Sequence, residues 1–125
     1  MDNFKKIIKG VLKDDQLDRK NLRAGILSFK ELIKKDQRRR NKTSEIIKKS
    51  EKKFSRHDYF NAAIPFLHSN KIGDLNMAER LAKKSLVLGN KKAKRLLETI
   101  EDRKLITKRK KQKYGTQIPS LIDFD

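Results

Sequence analysis

The sequence contains no cysteine and no tryptophan, and only two histidines among its 125 residues. Without cysteine the chain can form no disulfide, no thiolate metal site and no cysteine nucleophile. The two histidines, His57 and His68, are too few for a metal site built mainly from imidazoles. We therefore expect neither a metal ion nor another cofactor.

Long apolar runs are also missing. No stretch approaches the ~18 apolar residues of a membrane-spanning helix, and the opening residues MDNFKKIIKG lack the apolar segment of a signal peptide. These absences predict a soluble, cytoplasmic protein without a membrane partner.

The supply of core residues is small but sufficient for one domain. Phe, Ile, Leu and Val account for 34 of the 125 residues, which is above the roughly 20% below which a chain tends to be disordered. We expect a single helical domain over residues 1–125, in which residues 1–14 and 118–125 are the segments that can be loose.

Positive charge is abundant. The chain has 34 Lys and Arg against 16 Asp and Glu, a net charge of +18, and such an excess favours a nucleic acid or another polyanion as partner. The excess is spread along the chain, and the few aromatic residues make a poor platform for stacking bases. A solvated lysine-rich surface and polyanion binding therefore stand as equal alternatives.

Two capping boxes mark the starts of helices. Ser28 with Glu31, and Ser55 with Asp58, have the spacing at which each side chain can bond the other residue's backbone N–H. Inside the second of these helices, Pro65 removes a backbone donor, so we expect a kink or an early end there. With the apolar spacing elsewhere, the predicted helices cover residues 3–22, 29–50, 56–69, 75–88 and 91–107.

The last two predicted helices are separated by Gly89, which we expect to adopt the left-handed conformation that ends a helix. The segment AERLAKKSLVLGNKKAKRLLE, with small residues at helical spacing, looks like half of a tetratricopeptide-type unit. The sequence thus predicts an all-α fold of about five helices in antiparallel hairpins, with tetratricopeptide-like packing and a short extended C-terminal tail.

Several charged residues stand where the helical pattern does not expect them. Asp36 and Arg39 fall near the apolar face of the helix predicted over residues 29–50. Either they form a buried ion pair, or the helix frays through this polar stretch; both interpretations stay open. Asp102 lies near a helix C-terminus, where a carboxylate is disfavoured, so it needs a partner, for which Arg19 or Arg39 is a candidate.

A set of motifs runs through residues 15–117: D-Q-x-D-R, D-x-x-R, D-Y-x-x-A-A-x-x-F, an alanine-rich hairpin, and D-R-x-L followed by Q-x-Y-G-T-Q. In this order they resemble a microbial family of small helical proteins that is classed as a domain of unknown function. The chain departs from the family at Leu67, at Ser69 and at Arg109-Lys110-Lys111, where the family has Gln, Gly and Gly-Lys-Pro. Pro65, inside the third predicted helix, is a further departure from the family pattern.

The resemblance implies no reaction, but it implies that polar residues scattered along the chain belong to one pocket or one ion-pair network. The candidates for this site are Asp15, Gln16, Arg19, Asp36, Arg39, Tyr59, His68, Asp102, Arg103, Gln112, Tyr114, Thr116 and Gln117. The candidates for contact with nucleic acid are Arg38, Arg39, Arg40, Lys108, Arg109, Lys110, Lys111 and Lys113.

Three functions fit these features. The first, which we favour, is a protein- or peptide-binding scaffold module with a structural polar network. The second is an enzyme on a small or phosphorylated substrate, with Asp102 or Asp36 as base, His68 as acid or base and Arg19 or Arg103 as anion clamp. The third is a nucleic-acid binder without sequence preference.

Overall fold

The computed structural model describes residues 3–117 and is all-α, without strands, over that part of the chain. Its elements are α1 (Phe4–Arg23), α2 (Phe29–Ser50), a 3-10 turn (Glu51–Lys53), α3 (Arg56–Leu67), α4 (Ile72–Val87) and α5 (Ala93–Thr107). The predicted fold class and the five helices are confirmed. The predicted C-terminal tail, residues 118–125, lies outside the described residues.

The chain divides into two compact units, Met1–Phe54 and Ser55–Asp125. The first contains the α1–α2 hairpin and the second contains α3, α4 and α5. The single domain and the tetratricopeptide-like packing stay predictions.

In the first unit, α1 carries the predicted apolar stripe. Phe4, Ile8 and Val11 are buried at helical spacing, and the ring of Phe4 stacks on that of Phe54 with their centroids 5.4 Å apart. Residues 4–14, which the sequence analysis places in a helix but allows to be loose, form the first half of a packed helix.

The second helix, α2, runs unbroken through the polar sequence DQRRRNKTS. Its start is the predicted capping box, in which the Ser28 hydroxyl accepts the N–H of Glu31 and the Glu31 carboxylate accepts the N–H of Ser28. Asp36 and Arg39 are buried and joined by an ion pair. The buried ion pair is therefore the correct interpretation of this stretch, and the fraying alternative is wrong.

In the second unit, α4 packs between α3 and α5, and small residues line the contacts. An alanine side chain adds little volume, so two helices that meet at alanines can approach closely. The side chains in this core with an exposed fraction of 0% include Ala62, Ala63, Leu75, Ala78, Leu81, Ala82, Ala93 and Ile100.

The ends of α3 and α4 differ from the predicted ones. The third helix contains Pro65 and ends at Leu67, so the early end that proline favours is observed. The fourth begins at Ile72 rather than at residue 75, because Ser69 organises the turn before it. The Ser69 hydroxyl accepts the N–H of Lys71 (3.0 Å) and donates to Asp74 (2.7 Å) in the first turn of α4.

Three helices end in the same motif. Two residues after the ends of α1, α4 and α5 stand Gly25, Gly89 and Arg109, with positive φ values of 75°, 104° and 59°. In each case the N–H of the next residue donates to the carbonyl five residues before it, at 2.9, 3.0 and 2.7 Å. This is the Schellman motif, which confirms the left-handed cap predicted at Gly89. At the end of α5 an arginine occupies the position that favours glycine.

Candidate functional site

Asp102 is a fully buried carboxylate in α5. One of its oxygens accepts the backbone N–H groups of Lys113 (2.7 Å) and Tyr114 (2.9 Å). The other accepts the N–H (2.9 Å) and the hydroxyl (2.8 Å) of Thr116. Four donors from one short segment therefore satisfy both oxygens of this carboxylate.

These donors belong to residues 108–117, which we name the C-terminal turn. The Schellman motif at Arg109 redirects the chain after α5, and Gly115 supplies a second positive φ, of 72°. The side-chain amide of Gln112 closes the turn, since it donates to the carbonyl of Gln117 (3.0 Å) and accepts its N–H (2.9 Å). Converging N–H groups of this kind make an anion-binding concavity, which here holds a carboxylate of the protein itself.

The hydrogen bonds of the C-terminal turn keep Asp102 ionised. Burial alone raises the pKa of this carboxyl, but the donors of the turn, first among them the N–H of Thr116, lower the pKa of Asp102 below its ordinary value. The prediction that Asp102 pairs with Arg19 or Arg39 is wrong. The chain folds back after α5 and supplies the donors from its backbone, so no guanidinium is needed.

Arg103, the next residue, holds a different loop. Its Nε donates to the carbonyl of Ser69 (3.0 Å) and its Nη2 donates to the carbonyl of His68 (3.2 Å). Both carbonyls lie just after α3, where a helix leaves backbone acceptors without intrahelical donors. Arg103 is buried and His68 is half-buried. In this contact His68 contributes its backbone.

In the first unit, Arg39 lies among three aspartates. Its Nη1 donates to Asp18, its Nη2 donates to Asp36 (2.7 Å), and its Nε lies 3.9 Å from a carboxylate oxygen of Asp15. All four residues are buried. A guanidinium offers a planar fork of donors, so one arginine can serve several carboxylates.

Two further cations join this cluster, which we name the Arg39 network: Asp15, Asp18, Arg19, Lys35, Asp36 and Arg39. Arg19 donates to both oxygens of Asp36 (3.1 and 2.9 Å) and also to Asp15. Lys35 donates to Asp18 at 3.1 Å. Within this set, three carboxylates face three cations.

The ion pairs fix the charge states within the Arg39 network. Burial raises the pKa of Asp18, but hydrogen bonds from Arg39 and Lys35 outweigh it and leave that pKa below its ordinary value. Burial lowers the pKa of Arg39, whereas its hydrogen bonds to Asp36 and Asp18 raise it, and the net shift is upward. Both groups therefore stay charged at neutral pH, and neither is poised to exchange a proton.

The predicted polar residues fall into two groups, one in each unit. The members within the Arg39 network are Asp15, Arg19, Asp36 and Arg39. The members in the second unit that bind backbone groups or take part in the C-terminal turn are Asp102, Arg103, Gln112, Tyr114, Thr116 and Gln117. Of the others, Gln16 is exposed on α1, and Tyr59 is buried on α3.

The predicted set lacks two members of the Arg39 network, Asp18 and Lys35. Both could have been found from helical spacing, because Asp18 follows Asp15 by three residues and Lys35 precedes Arg39 by four. Residues three and four apart lie on the same face of a helix. Ser85 had no comparable signal; its hydroxyl donates to the distant carbonyl of Arg56 at 2.7 Å.

The residues predicted to contact nucleic acid differ in exposure. Arg38 is exposed, whereas Arg39 and Arg40 are each only 8% exposed. Within residues 108–113, all five cations are exposed, and only Gln112 is half-buried.

The fraction of residues that is buried is larger for the acidic than for the basic residues. Residues 3–117 contain all 34 Lys and Arg but only 13 Asp and Glu. Three of the basic residues and five of the acidic ones are buried, which leaves 31 basic against 8 acidic residues outside the interior. The buried charged residues are Arg39, Arg40, Arg103, Asp15, Asp18, Asp36, Asp58 and Asp102.

Two open clefts lie along the α1–α2 hairpin. One, of about 350 Å³, has Phe4, Ile7 and Ile46 in its lining together with Lys42 and Lys49. The other, of about 320 Å³, includes Val11, Leu17 and four basic residues of α2, with Asp14 and Asp18 beside them. Because Lys42 lines both, the clefts adjoin along one side of the hairpin.

Within residues 3–117, no group of three or more His, Cys, Asp or Glu side chains is arranged to hold a metal ion. No helix in this part of the chain has the length and apolar character required to cross a membrane.

Comparisons of the chain with models of protein families, with curated proteins and with solved structures found no match. The resemblance to the family of small helical proteins, carried by the motifs between residues 15 and 117, stays a prediction.

Proposed function

We propose that the protein is a helical interaction module that binds a protein or peptide partner, and that its polar residues hold the helices and loops in place. The observation that carries this proposal is that the candidate catalytic carboxylates already have hydrogen-bond and ion-pair partners within the protein. Asp102 accepts four hydrogen bonds, and Asp36 binds both Arg19 and Arg39. A general base needs a free acceptor and a pKa near the working pH, so these contacts favour a structural role over the enzyme alternative.

The two clefts along α1 and α2 offer a surface for such a partner, which we name the α1–α2 groove. Its floor is apolar and includes Ile7 and Leu17, of which Leu17 is 54% exposed. Its rim on α2 is basic, with Lys35, Arg38, Lys42 and Lys49 at successive spacings of three, four and seven residues. At 1.5 Å per residue, this rim extends for about 21 Å.

An amphipathic helix with acidic flanks fits the α1–α2 groove best. A helix laid into a groove places apolar side chains at every third or fourth position against the floor. Acidic residues beside those positions would then meet the basic rim; the exposed acids that line the groove are Asp14 on α1 and Glu45 on α2. Charge complementarity of this kind sets the choice of partner and the rate of association.

The test uses a designed helical peptide with leucines on one face and glutamates beside them, titrated into the isotope-labelled protein. We expect amide chemical shifts to move in α1 and α2, and a peptide with lysines in place of the glutamates to bind at least about tenfold more weakly. The variants Leu17→Glu and Lys42→Glu should weaken binding, whereas Val87→Glu, on a residue that is 84% exposed outside the groove, should not. Equal effects of all three would refute binding in the groove.

A second candidate function is binding to nucleic acid or another polyanion, which the excess of basic over acidic groups outside the interior supports. Such binding releases counterions, so the logarithm of the association constant should fall linearly with the logarithm of the salt concentration. Fluorescence anisotropy with a labelled oligonucleotide at several salt concentrations measures this slope. An association constant that does not change with salt would count against this function.

A further inference from the structure

The C-terminal turn combines a dense set of cations with an exposed aromatic ring. Lys108, Arg109, Lys110, Lys111 and Lys113 are all exposed. Tyr114, which follows them directly, is 38% exposed. Basic side chains that reach phosphates and an aromatic side chain on which a base can stack are the two components of a site for single-stranded nucleic acid.

Stabilisation of the C-terminus of α5 accounts for only some of the cations in residues 108–113. Cations near the C-terminus of a helix interact favourably with the helix dipole, but this effect fades beyond the last turn. Lys110 is the last residue of the Schellman motif that ends α5, and Lys111 and Lys113 follow it. The carboxylate of Glu101 lies 3.9 Å from the ammonium group of Lys113, in an ion pair between two solvent-accessible side chains.

The backbone beneath these side chains is fixed. Asp102 binds the N–H groups of Lys113 and Tyr114 at 2.7 and 2.9 Å, and the amide of Gln112 closes the turn on Gln117. The Lys113 ammonium lies 5.3 Å from the centre of the Tyr114 ring. A surface that is ordered before binding loses less conformational entropy when a ligand arrives.

We propose that the C-terminal turn binds single-stranded nucleic acid, with Tyr114 stacked on a base and the cations of residues 108–113 on neighbouring phosphates. Single strands are favoured over duplexes, because the faces of bases within a duplex already stack on each other. The proposal rests on the second candidate function and places that function on one surface. It uses the side chains of the turn, since Asp102 occupies the backbone N–H groups.

The test measures the anisotropy of a labelled polypyrimidine of about 12 nucleotides, single-stranded and as a duplex, with the full-length protein. Tyr114→Ala should weaken single-strand binding by about fivefold or more, whereas Tyr114→Phe, which keeps a ring, should retain it. The triple variant Lys108→Gln, Lys110→Gln, Lys111→Gln should reduce the salt slope by about 2. Thermal melting of each variant checks that the variant is folded.

A matched control removes three exposed charges from another surface: Lys91→Gln, Lys92→Gln, Lys94→Gln. A smaller loss of affinity in this control than in the triple variant of the turn, together with the Tyr114→Ala effect, supports the proposal. The proposal would be overturned if both triple variants lost the same affinity and Tyr114→Ala kept the affinity of the wild type. Salt-dependent binding would then persist without a site at the C-terminal turn, and the second candidate function would stand. If the wild-type protein binds no oligonucleotide at low salt, the second candidate function fails as well.

Discussion

Adjacent residues of α5 hold two separate loops of the second unit. Asp102 accepts hydrogen bonds from the turn that follows α5, and Arg103 donates to the carbonyls that follow α3. The carboxylate of Asp102 has four donors, and Arg103 is buried with its Nε and Nη2 on backbone acceptors, so both residues are engaged in structural contacts. These two residues act as connectors between elements that the apolar core alone does not fix.

Asp102→Asn should destabilise the second unit. The substituted amide keeps the size of the side chain but replaces one acceptor oxygen by an NH₂ group, which leaves up to two of the four donors without an acceptor. We expect a loss on the order of 2–4 kcal/mol, measured by thermal and urea unfolding. The control Glu98→Gln affects an exposed ion pair with Arg95 and should change stability by less than ~0.5 kcal/mol. A variant at Asp102 as stable as the wild type would contradict the structural role.

Arg109→Gly should stabilise the protein. Arg109 has a φ of 59°, and a residue with a Cβ atom pays a steric cost there that glycine avoids. After allowance for the greater freedom of glycine in the unfolded chain, we expect a gain of about 1 kcal/mol in the free energy of unfolding. Arg109→Ala is the matched control, because alanine lacks the charge but keeps the Cβ. Equal stabilities for the two variants would refute the conformational explanation.

At the scale of the helices, the Arg39 network joins α1 and α2 where an apolar stripe would be expected. The hairpin buries Phe4, Ile8 and Val11 on one helix, and further along the same helix the buried positions are the aspartates 15 and 18. Arg39 on α2 binds Asp18 across the hairpin. Ion pairs fix the register of two helices more narrowly than apolar contacts do, because each carboxylate must meet a particular donor.

Arg39→Ala should destabilise the α1–α2 hairpin strongly, since it leaves buried carboxylates with less compensation. Removal of one partner from a buried ion pair typically costs about 3–5 kcal/mol. Arg39→Lys should restore little of this, because one ammonium group cannot reproduce the fork that binds Asp18 and Asp36 together. Arg38→Ala, an exposed neighbour, is the control. If the Arg38→Ala and Arg39→Ala variants melt at the same temperature, the Arg39 network does not stabilise the hairpin.

At the scale of the whole molecule, folding separates the charges. Within residues 3–117, five of the 13 acidic residues are buried and bind backbone donors or guanidinium groups, against three of the 34 basic residues, so the folded surface is more basic than the composition suggests. Such an excess of one charge sign on the surface produces repulsion among the cations themselves.

Acid should unfold the protein through its buried carboxylates. The pKa values of Asp18 and Asp102 lie below their ordinary values, so the unfolded chain binds protons more readily than the folded one. Their contribution to stability is complete above the ordinary carboxyl pKa of about 4 and is lost as the pH falls through the lower folded values. Urea midpoints measured between neutral pH and about pH 3 should therefore fall, and fall less steeply in Asp102→Asn. Midpoints independent of pH would contradict this account.

The local features of the fold were accessible from the sequence alone. The capping box of Ser28 and Glu31, the cap at Gly89 and the apolar spacing of α1 each involve residues a few positions apart. Interactions of this range are set by backbone geometry, which is the same in any fold. The helix class, most helix boundaries and the net charge therefore followed from the sequence.

The partners of the charged residues were decided by the tertiary structure. The donors to Asp102 stand 11, 12 and 14 residues further along the chain, and Arg39 meets Asp18 across 21 residues. Helical spacing shows which side chains share a face, but it does not show which loop returns to that face or which of three consecutive arginines is left in solvent. Those outcomes depend on how the chain reverses after α1 and α5 and on which carboxylates are then near enough to bind.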